Sequence, residues 1–440
     1  LPAPKWPSFG GDATADPRPR GPMALKFPGV RLRAWRAALV GVAVAVLVVG
    51  LVGSLRSEPD QLPLTNERAG SVWAADPTST TGDPSASADD LERPWMRRFT
   101  TGERPPQFVI FSFDGGGYAD RWRLFLDTAK ASQATFTVFM TGTYFVPEAS
   151  RTDYTPPGNE PGKADVAFSK SDEQLATLLT NLNRAVNEGH ELGSHAVGHL
   201  CKGTSNEVGA TWTATQWGKE LDQFTSLFQR AKDRAPELIG EPLLADPNTV
   251  EGFRAPCLEY NREALIPALA DRGYRYDSSA IATGVEWPTH DDGLWEFPIS
   301  TVYFNGDRTL TLDYNLWLRF NGGKDRPEDA PAMRARTTEV YDTVLASVLA
   351  GNRAPLVIAN HFNNWSGNAF NPATADFMAD ACPRPDVQCV PFTVVVDWLE
   401  LQTPDYLNNM RAEPTGHIDI PTNGDSAADG LQGTRAPEGA

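Results

Sequence analysis

Apolar runs of strand length alternate with longer amphipathic stretches between residues 106 and 403. The runs QFVIFSF (107–113), ATFTVFM (134–140) and PLVIANHF (355–362) are almost continuously apolar, as expected for strands covered on both faces. Continuous strands separated by helices indicate a parallel sheet between helical layers, and this number of units favours an α/β barrel over an open sheet. Further strands are predicted at 190–195, 274–281 and 301–318, and helices at 119–131, 172–188, 213–232, 262–271, 330–350, 371–380 and 393–402.

A second feature is the uncharged apolar run AALVGVAVAVLVVGLVGSL at residues 37–55. As a helix it would be about 28 Å long, close to the ~30 Å hydrocarbon core of a membrane. Basic residues precede it, so the positive-inside rule places residues 1–36 in the cytoplasm and the rest outside. We expect an uncleaved, single-pass anchor in the cell membrane, with a cleaved signal peptide as the alternative.

The segments on either side of the folded region differ from it in composition. Residues 56–105 and 404–440 are rich in Pro, Ser, Thr, Gly and Asp, which predicts a disordered linker and a disordered tail around a folded domain at 106–403. The formal net charge is −17 at pH 7. This charge argues against a nucleic-acid-binding protein, which needs a basic face to neutralise phosphates.

Polar side chains of catalytic type follow several of the predicted strands. Asp114 ends the first strand and precedes three glycines, and His195 and His199 follow the strand at 190–195. Two histidines four residues apart suit a shared divalent metal such as Zn²⁺ or Co²⁺. Arg254 can hold a carboxylate through paired hydrogen bonds, and His361 ends another buried strand. In α/β barrels the chemistry lies at these strand ends.

In this order the segments FSFDGG, HAVGH, RAP, YDSS and IANH resemble the five motifs of the polysaccharide deacetylases. These are the NodB-homology proteins of carbohydrate esterase family 4. The resemblance spans about residues 107–400 and implies a distorted (β/α) barrel. It also implies a divalent metal and the removal of N- or O-linked acetyl groups from a polysaccharide.

The resemblance also implies a role for each matched residue. Asp114 falls on the general base that activates the attacking water, and Arg254 on the arginine that holds this base. Asp277 matches the acidic residue that orients the catalytic histidine, and His361 matches that histidine, the general acid. The two metal-binding histidines of the family correspond to His195 and His199.

One departure from the family pattern concerns the metal. The family has two adjacent aspartates in its first motif, and the second completes an Asp-His-His metal site, but Gly115 stands at that position. Catalytic metals usually keep three protein ligands. Asp114 can supply the third ligand itself, or a carboxylate nearby in the sequence, Asp120 or Glu191, can replace it. Alternatively, the domain binds glycan without catalysis.

The four cysteines fit a domain outside the cytoplasm, where disulfides persist. Cys382 and Cys389 enclose a short loop and are expected to pair, while Cys201 and Cys257 follow two of the motifs and can bridge them. Four cysteines allow three pairings, which the sequence alone does not distinguish.

Two tryptophans, Trp287 and Trp365, are candidate substrate contacts, because aromatic rings stack well on the apolar faces of sugars. The sequence therefore predicts a membrane-anchored, metal-dependent hydrolase that deacetylates a polysaccharide of the cell envelope, of the peptidoglycan or chitin type. The alternatives are a non-catalytic glycan-binding or scaffold protein, and a hydrolase of the same barrel acting on another C–N or C–O bond.

Overall fold

The computed structural model describes residues 93–205, 207–414 and 418–421. The expected cytoplasmic segment 1–36, the membrane anchor 37–55, most of the linker and the end of the tail lie outside these residues. Among the described residues, no helix has both the length and the apolar character needed to cross a membrane.

Most strands belong to one sheet with the order β10-β1-β2-β3-β4-β5-β7-β6, in which β11 also pairs with β1. All pairs in this sheet are parallel except β6 with β7, and β8 and β9 form a separate antiparallel hairpin. The strands are β1 (Gln107–Gly115), β2 (Thr137–Met140), β3 (Glu191–Ser194), β4 (Gly252–Phe253), β5 (Tyr276–Asp277), β6 (Thr289–Asp291), β7 (Leu294–Glu296), β8 (Thr301–Phe304), β9 (Asp307–Leu310), β10 (Leu356–His361) and β11 (Val387–Cys389).

The predicted parallel α/β architecture is confirmed. Across the described residues the sheet runs from β10 to β6 without closing into a hydrogen-bonded ring, so it forms an open half-barrel. The helices are α1 (Ala119–Ser132), α2 (Asp172–Asn187), α3 (Ala214–Ile239), α4 (Arg262–Ala270), α5 (Asp313–Asn321), α6 (Ala330–Ala350), α7 (Trp365–Asn368), α8 (Phe370–Ala381), α9 (Phe392–Leu401) and α10 (Pro404–Ala412).

The core follows from the apolar patterns in the sequence. Strand β1 is buried from Gln107 to Asp114, as expected for a central strand between two helical layers. Helix α3 begins with a capping box formed by Thr213 and Gln216, which satisfies backbone N–H groups of its first turn. Its buried stripe contains Trp217, Leu221, Phe224 and Phe228, and Trp217 packs against Phe253 of β4.

One predicted strand is wrong in its second half. The stretch 301–318 was expected to be extended, but β9 ends at Leu310 and helix α5 begins at Asp313. The side chains of Tyr314 and Trp317 are buried from this helix, and their spacing of three residues suits one helical face. This turn from strand to helix buries Asp313, which matters for the site.

The folded domain extends beyond 106–403 at both ends. Phe99, placed in the linker by composition, is buried, and its ring centroid lies 5.6 Å from that of Trp398. Helix α10 occupies the first part of the expected disordered tail, and it buries Tyr406, Leu407 and Met410. A few large apolar residues therefore hold both segments to the domain although their average composition is polar.

Candidate active site

Strands β1, β3, β4 and β10 bring polar side chains to one edge of the sheet. Asp114 on β1 and His361 on β10 are direct partners in the parallel register, while His195 follows β3 and Arg254 follows β4. Asp114, His195, His199 and His361 all line one pocket of about 40 Å³, which can hold a few water-sized groups. The structure thus brings together the two histidines, the aspartate and the third histidine singled out in the sequence.

Asp114 is held by the fully buried Arg254. The guanidinium Nη1 donates to Asp114 Oδ1 at 2.9 Å, while Nε and Nη2 donate to the carbonyl and hydroxyl oxygens of Ser278 at 3.1 and 2.9 Å. Burial alone would raise the pKa of Asp114, but Arg254 and the nearby imidazoles of His195 and His361 together lower it. Asp114 is therefore an anion at neutral pH, as a general base requires.

His361 is oriented by Asp313, a residue that the sequence analysis did not select. His361 Nδ1 and Asp313 Oδ1 are 2.7 Å apart, and the backbone N–H of His361 donates to Asp313 Oδ2 at 2.7 Å. Burial alone would lower the pKa of His361, but the Asp313 carboxylate, with Asp114, raises it overall. With Nδ1 bonded to Asp313, the other ring nitrogen, Nε2, lies 4.0 Å from Asp114 Oδ2.

The expected role of Asp277 needs correction, because Asp313 and not Asp277 is bonded to His361. Asp277 is fully buried on β5 and accepts a hydrogen bond from the Ser279 hydroxyl at 2.6 Å. That hydroxyl in turn accepts from the backbone N–H of Ala255 at 2.8 Å. Through these two bonds Asp277 supports the loop that carries Arg254. Burial raises the pKa of Asp277 to about 7.

The two motif histidines have the properties of metal ligands. His195 Nδ1 lies 2.8 Å from the carbonyl oxygen of Arg254, and its buried Nε2 has no hydrogen-bond partner among the described residues. A backbone bond to one ring nitrogen commonly leaves the other free for a metal. Burial lowers the pKa of His195 to about 4 and that of His199 to about 3, so both imidazoles are neutral near pH 7. Their ring centroids are 5.0 Å apart.

Neither of the two carboxylates proposed from the sequence, Asp120 and Glu191, replaces the missing aspartate. Asp120 lies at the exposed start of α1 and pairs with Arg121. Glu191 accepts hydrogen bonds from the hydroxyls of Thr137 and Tyr276 at 2.8 and 2.9 Å, at the start of β3. Neither side chain lines the pocket. The carboxylate beside the imidazoles is Asp114, which influences the pKa of both.

Tyr144 occupies the space beside the missing side chain. Gly115 has φ +98°, a conformation that glycine adopts readily and other residues rarely. A Cβ at Gly115 would lie 3.7 Å from Cε2 and 3.9 Å from Oη of Tyr144, and a Cβ at Gly117 would clash with the same ring at 2.6 Å. Burial raises the pKa of Tyr144 above its usual value, so its phenol is neutral and can donate a hydrogen bond.

Both anticipated disulfides are present, and one of them lies beside His199. Cys201 is bonded to Cys257, and Cys382 to Cys389. The Cys201 sulfur lies 3.6 Å from His199 Nδ1. Within the described ranges, His199, Cys201 and Cys257 form the one group of three side chains whose ligand atoms are mutually within 4.8 Å. The two cysteines are bonded to each other here, so this group is a cross-link between two site loops.

The two candidate tryptophans differ in their positions. Trp287 is buried in the core, where its indole N–H donates to the Asn352 carbonyl at 3.0 Å, so it is not a surface for substrate. Trp365 is half-buried beside the site, with its ring centroid 5.3 Å from that of His361. It stacks on Trp317 at a centroid distance of 4.9 Å and an interplanar angle of 6°.

Two contributors to the site, Asp313 and Tyr144, were missed in the sequence. Asp313 lies within LTLDYNLWL, and its signal was an acidic residue at the point where a strand gives way to a helical spacing of aromatic residues. Tyr144 follows β2 in a short 3₁₀ turn, Gly142–Phe145. Its contact with Gly115 joins two loops, so no local pattern indicated it.

Comparisons with known proteins agree with these motifs. The sequence model of the family described as polysaccharide deacetylase matches residues 101–276, a range that includes Asp114, His195, His199 and Arg254. No curated protein matches the chain.

Several solved structures are similar to this chain at low identity. One, from Mycobacterium smegmatis and assigned to the polysaccharide deacetylases, is 17% identical, with 70% of this chain and 96% of that chain covered and a TM-score of 0.43. The peptidoglycan deacetylase PdaC of Bacillus subtilis is 12% identical (67% and 92% covered, TM-score 0.32). A CE4 family pseudoenzyme of Bacillus anthracis is 11% identical (69% and 69% covered, TM-score 0.34). By its match to the family model, the segment of residues 101–276 is similar to the polysaccharide deacetylase domain, and Gly115 is consistent with a divergent form of it.

Proposed function

We propose that this domain hydrolyses acetyl groups from an N- or O-acetylated polysaccharide of the cell envelope. The observation that carries the proposal is the pairing of a base and an acid across one pocket. Arg254 lowers the pKa of Asp114, and Asp313 raises the pKa of His361. Environments that push the pKa values of two neighbouring groups apart are typical of acid–base catalysis.

Asp114 serves as the general base. Its Oδ1 is held by Arg254 at 2.9 Å, which leaves Oδ2 on the side of His361. This oxygen can accept a proton from a water molecule in the pocket as that water attacks the acetyl carbonyl carbon. Arg254 is itself bonded to Ser278, which restrains the position of the carboxylate.

His361 serves as the general acid. Its Nδ1 bond to Asp313 fixes the ring, so the proton on Nε2 is directed to the same pocket as Asp114. When the tetrahedral intermediate collapses, this proton passes to the leaving amine or alcohol of the sugar. The charge on Asp313 favours the imidazolium that holds this proton.

The family is generally metal-dependent, and the residues present fit a divalent ion. His195, with its unpartnered Nε2, and His199 would hold it. In this assignment Asp114 is the base and not a third ligand, because Arg254 holds its Oδ1 and its Oδ2 accepts the proton. A divalent ion bound there lowers the pKa of a water molecule and polarises a carbonyl oxygen. Zinc and cobalt are among the ions that imidazole ligands bind.

The substrate proposal draws on the aromatic surface beside the acid. Trp365 stacks on the parallel ring of Trp317, and its ring centroid lies 5.3 Å from that of His361. A flat, partly exposed indole that is fixed from behind can support the apolar face of a sugar ring. The sugar that carries the acetyl group would then rest on Trp365 with its leaving atom near His361.

The second candidate function is glycan binding without hydrolysis. The observation that favours it is the combination of Gly115 and Tyr144, because a phenol occupies space beside the position of a family metal ligand. A site with two imidazoles and no second aspartate would then bind the metal weakly.

We test these alternatives on the full chain with two measurements. The first is divalent metal content by elemental analysis, with H195A/H199A as the control. The second is acetate release from acetylated chitin oligosaccharides, peptidoglycan and xylan. About one equivalent of metal that is lost in the control, together with acetate release reduced about 10²–10⁴-fold in Asp114→Asn, supports the hydrolase. Glycan binding with no metal and no acetate release supports the second candidate.

We also propose that residues 37–55 anchor the protein in the cell membrane with the domain outside. The support is the length and uncharged character of this run and the basic residues before it. Extraction from membranes by detergent but not by carbonate, with the domain open to protease in intact spheroplasts, is the expected result. A protein recovered in the aqueous fraction contradicts the proposal.

A further inference from the structure

A buried carboxylate is bonded to the loop that connects His195 and His199. Glu220 on helix α3 is 0% exposed. Its Oε1 accepts hydrogen bonds from the backbone N–H groups of Val197 at 2.9 Å and Gly198 at 3.4 Å. The hydroxyl of the equally buried Tyr154 donates to the same carboxylate, at 2.9 Å from Oε1 and 3.0 Å from Oε2. A buried carboxylate is costly unless it is well bonded, so its presence needs an explanation.

The backbone between the histidines is fixed at every polar group. The N–H groups of Ala196, Val197 and Gly198 donate to side chains, the first to Ser194 Oγ and the other two to Glu220. The three carbonyl oxygens accept from the backbone N–H groups of residues 142, 143 and 165. Glu220 is thus the one side chain that holds two of these six groups.

This loop is also strained. Ala196 has φ +55° and His199 has φ +52°, values in the left-handed region that cost non-glycine residues about 1–2 kcal/mol each. Strained residues persist where the surroundings over-determine them, and they concentrate at functional sites. The strained pair encloses the residues that Glu220 holds, so loss of Glu220 frees the segment to relax and to turn His199 away.

We propose that Glu220, supported by Tyr154, is a positioning residue that holds His195 and His199 in a geometry suited to one shared metal ion. The proposal deepens the proposed function and rests on it for the identity of the ligand. Glu220 itself touches neither substrate nor metal and acts through the backbone of Val197 and Gly198.

The chain contains a matched control. Glu191 is another carboxylate, half-buried, that is bonded to a tyrosine hydroxyl, that of Tyr276, and to a backbone N–H, that of Thr393. Its bonds lie at the start of β3, away from the histidine loop. Glu191→Leu therefore removes the same chemistry from a place where only stability depends on it.

The test compares Glu220→Leu, Glu220→Gln, Tyr154→Phe and Glu191→Leu in the full chain. The first readout is Co²⁺ and Zn²⁺ affinity by titration calorimetry. Glu220→Leu is expected to weaken binding about 10–100-fold, the usual effect of removing an outer-shell partner of a metal ligand. Glu220→Gln keeps an acceptor oxygen for the two N–H groups and is expected to restore affinity to within about threefold. Tyr154→Phe is expected to give a smaller loss, and Glu191→Leu none.

The second readout needs no metal. In protein labelled with ¹⁵N-histidine, Glu220→Leu is expected to shift the ring signals of His195 and His199 while those of His190 and His361 stay in place. Amide exchange at Val197 and Gly198 should accelerate. If Glu220→Leu fails to fold, Tyr154→Phe and Glu220→Gln decide the same comparison.

The outcomes separate the two proposals. Wild-type protein that binds no metal overturns the metal-dependent function, and the histidine signals then decide the role of Glu220. Wild-type metal affinity in Glu220→Leu with unshifted histidine signals overturns the positioning role. An equal loss of affinity in Glu191→Leu overturns it too, since the effect would then be general destabilisation.

Discussion

The two sides of the pocket differ in how their side chains are bonded. On the acid–base side, Asp114 and His361 each have a buried charged partner. On the metal side, formed by His195 and His199, one ring nitrogen of His195 has no partner among the described residues. Asp114 is bonded to Arg254 and His361 to Asp313, but His195 Nε2 meets no hydrogen-bonding group within the part of the chain described. Gly115 stands on the metal side, where the family has an aspartate. The difference teaches that Asp114 and His361 are each paired with a charged group of the protein, while one buried ring nitrogen of His195 is not paired among the described residues.

The largest effect is expected from Arg254→Leu, which removes the buried partner of Asp114. Asp114 is 5% exposed, so the substitution leaves a buried carboxylate without its cation, which typically costs about 3–5 kcal/mol. The free energy of unfolding from urea titration is expected to fall by that amount. Arg230→Leu is the control, because Arg230 forms an exposed ion pair with Asp153 and should cost about 1 kcal/mol or less. Equal losses in the two variants would contradict the assignment.

The next largest effect is expected from Asp313→Asn. Asp313 raises the pKa of His361, so its removal should move the basic limb of the kcat/KM profile to lower pH and reduce kcat about 10²-fold. The charged form of His361 stabilises the fold below about pH 6.5. That contribution is lost as pH rises through the raised folded-state pKa.

Asp277→Asn is the control for this prediction. Asp277 is bonded to Ser279 and not to His361, so the basic limb should stay in place in this variant. A shift in Asp277→Asn and none in Asp313→Asn would restore the assignment made from the family motif.

Gly115→Asp tests whether the missing aspartate limits metal binding by His195 and His199. Aspartate at φ +98° is expected to cost about 1–3 kcal/mol in stability, while the new carboxylate should raise Co²⁺ affinity about tenfold by calorimetry. Gly102→Asp is the matched control, with φ +93° and nothing within 4 Å of the added Cβ. It should lose stability without gaining affinity, and equal affinities in the two variants would contradict the prediction.

The smallest expected effect is that of Trp365→Ala. Loss of one stacking partner should raise KM for acetylated oligosaccharides several-fold, corresponding to about 1 kcal/mol, with kcat little changed. Trp287→Phe, in the core, should lower stability and leave KM unchanged. An unchanged KM in Trp365→Ala would remove this ring from the substrate surface.

The parts of the site that could be read from the sequence lie directly after buried strands. Asp114, His195, Arg254 and His361 each lie at or directly after the end of a strand, and parallel strands deliver such residues to one edge. Asp313 was missed because LTLDYNLWL is apolar enough for either a strand or a helix, and tertiary packing made the choice. The sequence could not show that Trp287 is buried, because a buried and an exposed tryptophan have the same local pattern.

The ends of the domain were misjudged for a related reason. Average composition marked residues 93–105 and 404–412 as disordered, yet Phe99 and Tyr406 pack against Trp398. A few large side chains can hold a polar segment in place. The average composition of a segment does not show such single large side chains.

The pairing of Asp114 with His361 in neighbouring strands has a consequence for variation. Adjacent strands in a sheet lie about 4.8 Å apart. The backbone positions of Asp114 and His361, which are direct partners in adjacent strands, are therefore separated by this strand spacing. The long stretch of chain between β1 and β10 can lengthen, shorten or exchange its loops without altering that distance. Related sequences can therefore vary these loops while the distance between the Asp114 and His361 positions stays constant.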